Sequence, residues 1–408
     1  MAEPKYRYRL PPCPAYDIPA MESWLEDMAA RGLHLAPNGF FGGFVSFEEG
    51  PPRREKFRLE ATTTNKGLFS EEYDPEADAV EMHRQMGWVY RARRDQFHIY
   101  SAADPDAPEL NTDPQVQAIT MAALTKYLWK SLRSTLILVV LYALLYFGDA
   151  IVTGSIYLGT WRVALLAGLL LWALVRQVWA LVVLTRFRRQ LQNGEPLPHR
   201  SDYRSRDLCY LLSSAARKVL WAVLAVSLVA YLLPIMTEEP YVALDDKSFP
   251  FATLGDIYPG AEVDRRNGIL ESKVYSWSDP LAPECHDFSE YAEVTHEGQR
   301  FDCYLTVTYH RTRWEWTARL LARELVSQSG ANLPEQTADR LFGEEPVIPT
   351  ELVLPDADYA VYFFRSRNEP TLVIQKGCTV LRVNLDVLGG CHGFPPEELA
   401  RIILSQIQ

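Results

Sequence analysis

The chain has 408 residues and a formal charge of −11, with 48% hydrophobic and 23% charged residues. This length allows two or three domains, and this composition excludes a disordered, collagen-like or coiled-coil chain. Acidic residues are concentrated in the C-terminal part of the chain, where residues 237–408 carry 15 Lys and Arg against 28 Asp and Glu. Since phosphate contact needs clustered basic residues, we expect no nucleic-acid partner for this region.

Residues 1–107 alternate short helices with strands. Asp17 and Pro19 open a helix whose apolar residues recur every three or four positions, and Gly32 ends it. MAARGLHL and HRQMGWVY repeat one pattern, in which a helix end is followed by a glycine and then a strand. The pattern predicts an α+β module with a structural core that includes Trp24, Leu25, Met28, Gly32, Gly87 and Trp88.

The same module carries a resemblance to a known family. YDIPAMESWLEDMAARGLHL, followed by FVSFEEG, KFRLEA and MGWVYRARRDQFHIYS, resembles the domain of unknown function numbered twenty-eight-twelve, found in membrane proteins of low-GC Gram-positive bacteria. The resemblance covers about the first 105 residues. It implies a module that is followed by transmembrane helices, and it implies no activity.

Three windows are apolar enough to cross a bilayer, at residues 132–152, 160–185 and 218–236. Residues 108–131 are expected to link the first module to the first span. Buried core helices of a soluble protein are the alternative, but core helices that are this long and apolar on every side are rare. We therefore predict three transmembrane α-helices in a multi-pass protein of the cell membrane, with the lipid bilayer as a partner.

The basic residues near these windows predict an orientation. Residues 149–160 contain no Lys or Arg, whereas residues 186–217, expected to be a basic loop, are rich in both. Because basic loops stay in the cytoplasm, module 1–107 is expected inside the cell and residues 237–408 outside. Arg176 either lies within the membrane, where charges often mark a pathway, or sits at the inner interface with Trp179 at headgroup level.

Residues 237–408 predict a second, extracytoplasmic α+β domain. Residues 292–295 and 301–309 indicate a hairpin, and residues 314–328 a helix. Three further strands at 359–365, 371–375 and 379–385 form a predicted meander, and a last helix spans 397–406.

Four cysteines fall in this outer domain, and an even number in an oxidising compartment favours disulfides. Cys285 with Cys391 is the preferred pair, since both precede a histidine in loop-like sequence, and Cys303 and Cys378 are the others. Free thiols packed as small apolar residues are one alternative. A zinc site made of Cys285, His286 and Asp287 with Cys391 and His392 is another, although adjacent ligands on a strand point to opposite faces.

Phosphate-binding glycine loops, HExxH, nucleophile elbows and paired CxxC motifs are missing from the sequence. We therefore expect no cofactor and no enzymatic activity. The first hypothesis is a signalling or regulatory membrane protein that couples an outer sensing or binding domain to an inner module with a protein partner. An accessory subunit of a transport or export complex is the alternative. An envelope enzyme would need His286, Asp287, Cys391 and His392 in one cleft.

Overall fold

The structure is a computed structural model that describes residues 5–61, 75, 77–104, 106–110, 114–147, 150–198, 200–237, 242–243, 249–265, 272–296, 298–328, 349–364, 370–388 and 394–407. The chain divides into two compact units. Unit 1 comprises Met1–Val139 and Gly168–Val223, and unit 2 comprises Val140–Ala167 and Leu224–Gln408.

Unit 1 begins with a β-α-β-β motif that occurs twice. Its elements are β1 (Tyr6–Arg9), α1 (Ile18–Ala29), β2 (Leu33–Phe41) and β3 (Phe44–Glu49), then β4 (Lys56–Ala61), α2 (Ala77–Gln85), β5 (Val89–Arg94) and β6 (Phe97–Ala102). Each motif forms a three-stranded antiparallel sheet with its last strand in the centre, in the orders β1-β3-β2 and β4-β6-β5. The two halves therefore share a topology as well as a sequence pattern.

The glycine after each helix has a backbone reason. Gly32 follows α1 with φ +78°, and a Cβ there would lie 2.5 Å from the carbonyl oxygen of Gly50. Gly87 follows α2 with φ +86°. Both conformations are left-handed and favour glycine, so each helix ends there and the next strand starts at once. Trp88, directly after the second glycine, has an exposed fraction of 0%.

Three long helices follow, namely α3 (Pro114–Phe147), α5 (Thr160–Gln192) and α6 (Arg204–Thr237), with the short α4 (Ile151–Leu158) between the first two. Two segments between these elements have a different secondary structure from the one expected. The expected linker 108–131 is helical from Pro114 onward, and its apolar side joins the core of unit 1. The expected basic loop 186–217 is largely helical, because α5 continues to Gln192 and α6 begins at Arg204, which leaves residues 193–203 as the connection.

Two helices among the described residues are long and apolar enough to cross a membrane, Thr160–Gln192 and Leu208–Leu233. Only 17% and 6% of their most apolar windows are buried, unlike the core helix of a soluble protein. The expected first span, 132–152, is not one of the two. Its uncharged helical stretch begins after Arg133 and stops at Phe147, short of the roughly 20 residues that a span needs. Ile151 and Val152 belong to α4 instead.

Unit 2 is built on a nine-stranded antiparallel sheet. Its strands are β7 (Val242–Ala243), β8 (Glu262–Asp264), β9 (Lys273–Trp277), β10 (Glu284–His296), β11 (Gln299–Arg311), β12 (Thr350–Glu351), β13 (Tyr359–Phe364), β14 (Pro370–Lys376) and β15 (Thr379–Leu388). They pair in the order β12-β13-β14-β15-β11-β10-β9-β7, and β8 pairs with β10. The predicted hairpin is β10 and β11, which extend further than expected, and the predicted meander is β13 to β15.

Helices cover both faces of this sheet. One face packs against α7 (Leu254–Ile257) and α9 (Pro396–Gln406) in a core that contains Phe288, Leu305 and Ile403. The opposite face packs against α8 (Glu315–Gln328) and α4, through Leu321, Leu325 and Ile156. Strands β13 and β14 carry apolar side chains on both faces, whereas β11 and β15 alternate apolar residues facing α9 with mostly polar ones on the opposite face.

Candidate functional site

The candidate site of unit 2 is the junction where the chain segment 150–160 is bound by three carboxylates of the C-terminal domain. Val152 and Ile156 of α4 are buried in the core that also holds Leu321 and Leu325 of α8. This short helix has only eight residues, too few to be stable by itself. Its conformation therefore depends on what packs against it and on what binds its ends.

Glu324 of α8 binds the N-terminus of α4. Its carboxylate accepts hydrogen bonds from the backbone N–H of Val152 at 2.9 Å, and from the N–H and hydroxyl of Thr153 at 2.8 and 2.9 Å. The first N–H groups of a helix have no partner within the helix and carry a partial positive charge. A carboxylate that accepts two of them satisfies both groups and complements the helix dipole.

Asp279 does the same for α5. It accepts hydrogen bonds from the backbone N–H of Thr160 at 2.7 Å and from the Thr160 hydroxyl at 2.6 Å. The side chain is buried, with 4% of the residue exposed, and it also accepts a bond from the Leu281 N–H at 2.9 Å. The C-terminal domain therefore fixes the residue at which the long helix α5 begins.

Asp287 of β10 makes the third link, since the Tyr157 hydroxyl donates to its two carboxylate oxygens at 2.9 and 3.0 Å. Burial raises the pKa of Asp287, and the hydrogen bond from Tyr157 together with the charge of Arg382 opposes that rise. Burial also raises the pKa of Tyr157, which stays protonated at neutral pH and keeps donating.

His310 lies beside this link, with its ring centroid 5.9 Å from that of Tyr157 and 5.8 Å from that of Trp277. Its exposed fraction is 0%, and neither ring nitrogen has a hydrogen-bond partner in the part of the chain that the structure describes. Burial, followed by the charges of Arg382 and His286, lowers the pKa of His310 to about 3. The imidazole is therefore neutral at physiological pH, and it is shielded from any substrate in solution.

The residues named for an envelope enzyme or a zinc site are not brought together as far as they are described. Asp287 and Cys285 face α4 and α8, whereas His286 packs on the opposite face against Phe251 and Tyr309. Cys391 and His392 lie outside the described residues. No group of three or more His, Cys, Asp or Glu that could hold a metal ion occurs among the residues searched, which are the described ones.

The described cysteines of the C-terminal domain, Cys285, Cys303 and Cys378, are free thiols. Cys285 and Cys303 are buried on opposite faces of the sheet, which prevents a bond between them. The Cys285 thiol donates to the carbonyl oxygen of Ala282 at 3.2 Å. The expected partner of Cys285, Cys391, lies outside the described residues. In the described residues these cysteines therefore match the free-thiol alternative, in which thiols pack as small apolar side chains.

The residues named for the core of the N-terminal module are placed as follows. Trp24, Leu25 and Met28 are buried on one side of α1, where Trp24 packs edge-on against Phe47 at 5.5 Å. Trp88 lies in a smaller cluster with Tyr100, and its indole N–H donates to the carbonyl oxygen of Pro108 at 2.8 Å.

The main core of unit 1 extends well beyond residue 107. It includes Ala118, Met121 and Leu124 of α3, and Leu184 and Leu191 of α5. The C-terminal half of α5 is therefore a structural part of the N-terminal domain. The amphipathic pattern of residues 1–107 alone does not show which later segment covers its apolar side.

Arg176 is half-buried in α5 and lies near the N-terminal domain. It lines a cavity of unit 1 together with Tyr16 and Phe97, and a second one with Phe41 and Lys218. Burial raises the pKa of Tyr16, and the positive charge of Arg176 opposes the shift. Since α5 continues without a break to Gln192, the residues after Arg176 do not form a separate surface helix.

Sequence reasoning missed Glu324, Asp279 and Tyr157. The two carboxylates lie more than 100 residues from the backbone groups they bind, and no local pattern marks them. Gly159 with Thr160 is the one usable signal, because glycine followed by threonine is typical of a helix end and a new helix start.

Comparison with known proteins yields one match. Residues 17–132 match the family described as Protein of unknown function (DUF2812). No curated protein and no solved structure matches the chain. The family match confirms the resemblance seen in the sequence and extends it into α3, which packs in the same core as α1. The N-terminal region is thus similar to this family over residues 17–132.

Proposed function

We propose that this protein, whose N-terminal region is similar to the DUF2812 family, is a multi-pass membrane protein that couples an outer α+β domain to a cytoplasmic module. The observation that carries the proposal is helix α5. Its first residue is bound by Asp279 of the outer domain, and its last turns, with Leu184 and Leu191, are part of the N-terminal core. A change in the outer domain that releases Thr160 would act on a helix shared with the inner domain.

The membrane location is supported by the surface of the two candidate spans. Trp161 and Trp179 are both exposed, and they lie 18 positions apart, which corresponds to about 27 Å of helix, close to the roughly 30 Å of a hydrocarbon core. Tryptophan is enriched at both membrane interfaces. This placement puts Arg176 one turn inside the inner interface, where its guanidinium reaches headgroup level, and it puts Arg162 and Trp161 at the outer one.

The proposed topology has three spans, with the third provided by the apolar end of α3. Its uncharged stretch is short, and Lys130 and Arg133 before it would extend the span by reaching back to headgroup level. An odd number of spans places the N-terminal domain and the basic connection between α5 and α6 inside, and the acidic outer domain outside. A reporter fused after Gln408 should be active only outside the cell, and one inserted at Asn193 only inside. The reverse pattern, or activity of both reporters on one side, would contradict the topology.

Coupling is tested on the full chain in detergent or nanodiscs by hydrogen exchange. Asp279→Ala removes the carboxylate that binds Thr160, and Asp356→Ala, in an exposed turn of the same domain, is the matched control. We expect faster exchange at the start of α5 and also at residues 181–191 in Asp279→Ala only. A change confined to residues 150–165 would show that the junction is structural and transmits nothing.

The proposed partner of the inner domain is a cytoplasmic protein, and crosslinking of the full chain in native membranes identifies it. A soluble regulator among the crosslinked proteins supports the coupling function. A multi-span protein or an ATPase instead supports the alternative, an accessory subunit of a transport or export complex.

A further inference from the structure

Unit 1 contains a cavity of about 450 Å³ between its hairpins β2–β3 and β5–β6 and helices α5 and α6. The turn between β2 and β3 forms one wall, and the turn after β5 forms another. The helices supply basic and polar side chains to the remaining wall. The residues used below are Phe41, Phe44, Asp95, Arg176, Arg217 and Lys218.

The cavity carries a strong positive charge. Five of its lining residues are Arg or Lys, and Asp95 is the one acidic residue among the lining residues described. Arg94 has a structural role, since it is buried and donates to the carbonyl oxygen of Cys13 at 2.7 Å. Arg176, Arg217 and Lys218 form no ion pair with any residue that the structure describes, so their charge is available to a ligand.

Neutral groups hold Lys218 in place. Its ammonium group donates to the carbonyl oxygen of Gly42 at 3.2 Å and lies 5.5 Å from the ring centroid of Phe44. Neither contact neutralises the charge. Gly43 has φ +85°, a left-handed conformation that favours glycine, and the turn brings its backbone close to this ammonium group. A cation held by uncharged neighbours at the edge of a cavity is ready to bind an anion.

Apolar surface lies beside these cations. Phe41 and Phe44, at the tip of the hairpin, are 55% and 43% exposed, and Tyr8 packs edge-on against Phe41 at 5.8 Å. Exposed aromatic rings are costly in water, and they are favourable at the boundary between headgroups and acyl chains. Lys218 also directly precedes the apolar part of α6. Phosphate-binding cations and exposed phenyl rings together match a phospholipid better than a free phosphate ion.

We propose that this cavity binds the phosphate headgroup of an anionic phospholipid of the inner leaflet, with the phosphate at Arg176, Arg217 and Lys218 and the acyl chains near Phe41 and Phe44. This inference rests on the membrane location proposed above. The basic residues of the cavity then do more than set the orientation of the protein in the membrane. They also hold the N-terminal domain against the bilayer at one site.

The test is native mass spectrometry of the full chain in detergent, titrated with phosphatidylglycerol or phosphatidylcholine. The double variant Arg217→Gln/Lys218→Gln removes two cavity charges. Arg186→Gln/Arg189→Gln is the matched control, because it removes two exposed charges from α5 outside the cavity. Arg176→Gln, on a different helix from Arg217 and Lys218, is an independent second variant in case the double variant fails to fold.

We expect the protein to retain phosphatidylglycerol and not phosphatidylcholine. The cavity double variant should bind phosphatidylglycerol about thirtyfold more weakly, which corresponds to about 2 kcal/mol for two charges, and the control should change less than threefold. Equal binding of the two lipids, equal loss in the control, or displacement of the lipid by millimolar inorganic phosphate would each overturn the proposal. Reporter topology is measured separately, so a failed lipid site and a failed membrane orientation are distinguished.

Discussion

His310 should make the C-terminal domain sensitive to acid. In the folded chain its pKa is lowered to about 3 by burial, whereas an unfolded histidine titrates near 6.5. As the pH falls below 6.5 the unfolded state gains a proton that the folded state does not accept. The contribution of His310 to stability is therefore full above pH 6.5 and is lost progressively as the pH falls toward 3.

The two pKa values set the size of the effect. Between pH 7 and pH 5, the contribution of His310 lowers the free energy of unfolding by about 2 kcal/mol, and by pH 3 this decrease approaches 4 to 5 kcal/mol. His310→Phe removes the titrating group and keeps a ring of similar size next to Tyr157 and Trp277. Because neither imidazole nitrogen has a described hydrogen-bond partner, the phenyl ring leaves no polar group of the neighbours unsatisfied.

Hydrogen exchange of the β11 amides in the full chain gives the free energy of opening for wild type and variant at each pH. Intrinsic exchange rates cancel in the difference, and so does the contribution of Asp287, which is present in both proteins. The stability of the variant relative to wild type should rise by about 2 kcal/mol from pH 7 to pH 5. A difference that stays constant over this range would refute the assignment of a depressed pKa to His310.

Three further predictions concern the N-terminal domain. Glu22 is buried, and its pKa is raised to about 8 because burial outweighs its attraction to Arg58, which also contacts Glu26 and Glu109. Glu22→Gln, which keeps an acceptor for the Leu59 N–H, should therefore raise the free energy of unfolding by about 3 kcal/mol at pH 7 and hardly at all at pH 4 in urea titrations. Trp88→Ala should lower the free energy of unfolding by about 3 to 5 kcal/mol, and Trp88→Phe should lower it by less. An unchanged melting temperature would contradict the burial of this ring. A fragment of residues 1–107 should melt without cooperativity or aggregate, since it lacks the α3 and α5 residues of its core, and a sharp melt would show that these helices are dispensable.

Local pattern was sufficient for most of the elements. The spacing of apolar residues in α1, the glycines after α1 and α2, and the alternation in β10 and β11 each depend on near neighbours, so the sequence shows them directly. The N-terminal DUF2812 region was recognisable for the same reason, because its signature residues stand in a fixed local order. The low polarity of α5 and α6 likewise follows from composition alone.

Only the tertiary structure decided which segments these elements bind. The binding of Glu324 to α4 and of Asp279 to Thr160 joins positions more than 100 residues apart, and the carboxylates carry no local mark of that role. The same holds for Leu184 and Leu191, whose apolar side chains fit a membrane span, yet they are buried in the N-terminal core. Lipid and protein both remove a hydrophobic side chain from water, so the sequence alone does not distinguish the two environments. The distinction depends on which surface is close by, and that is a property of the folded chain.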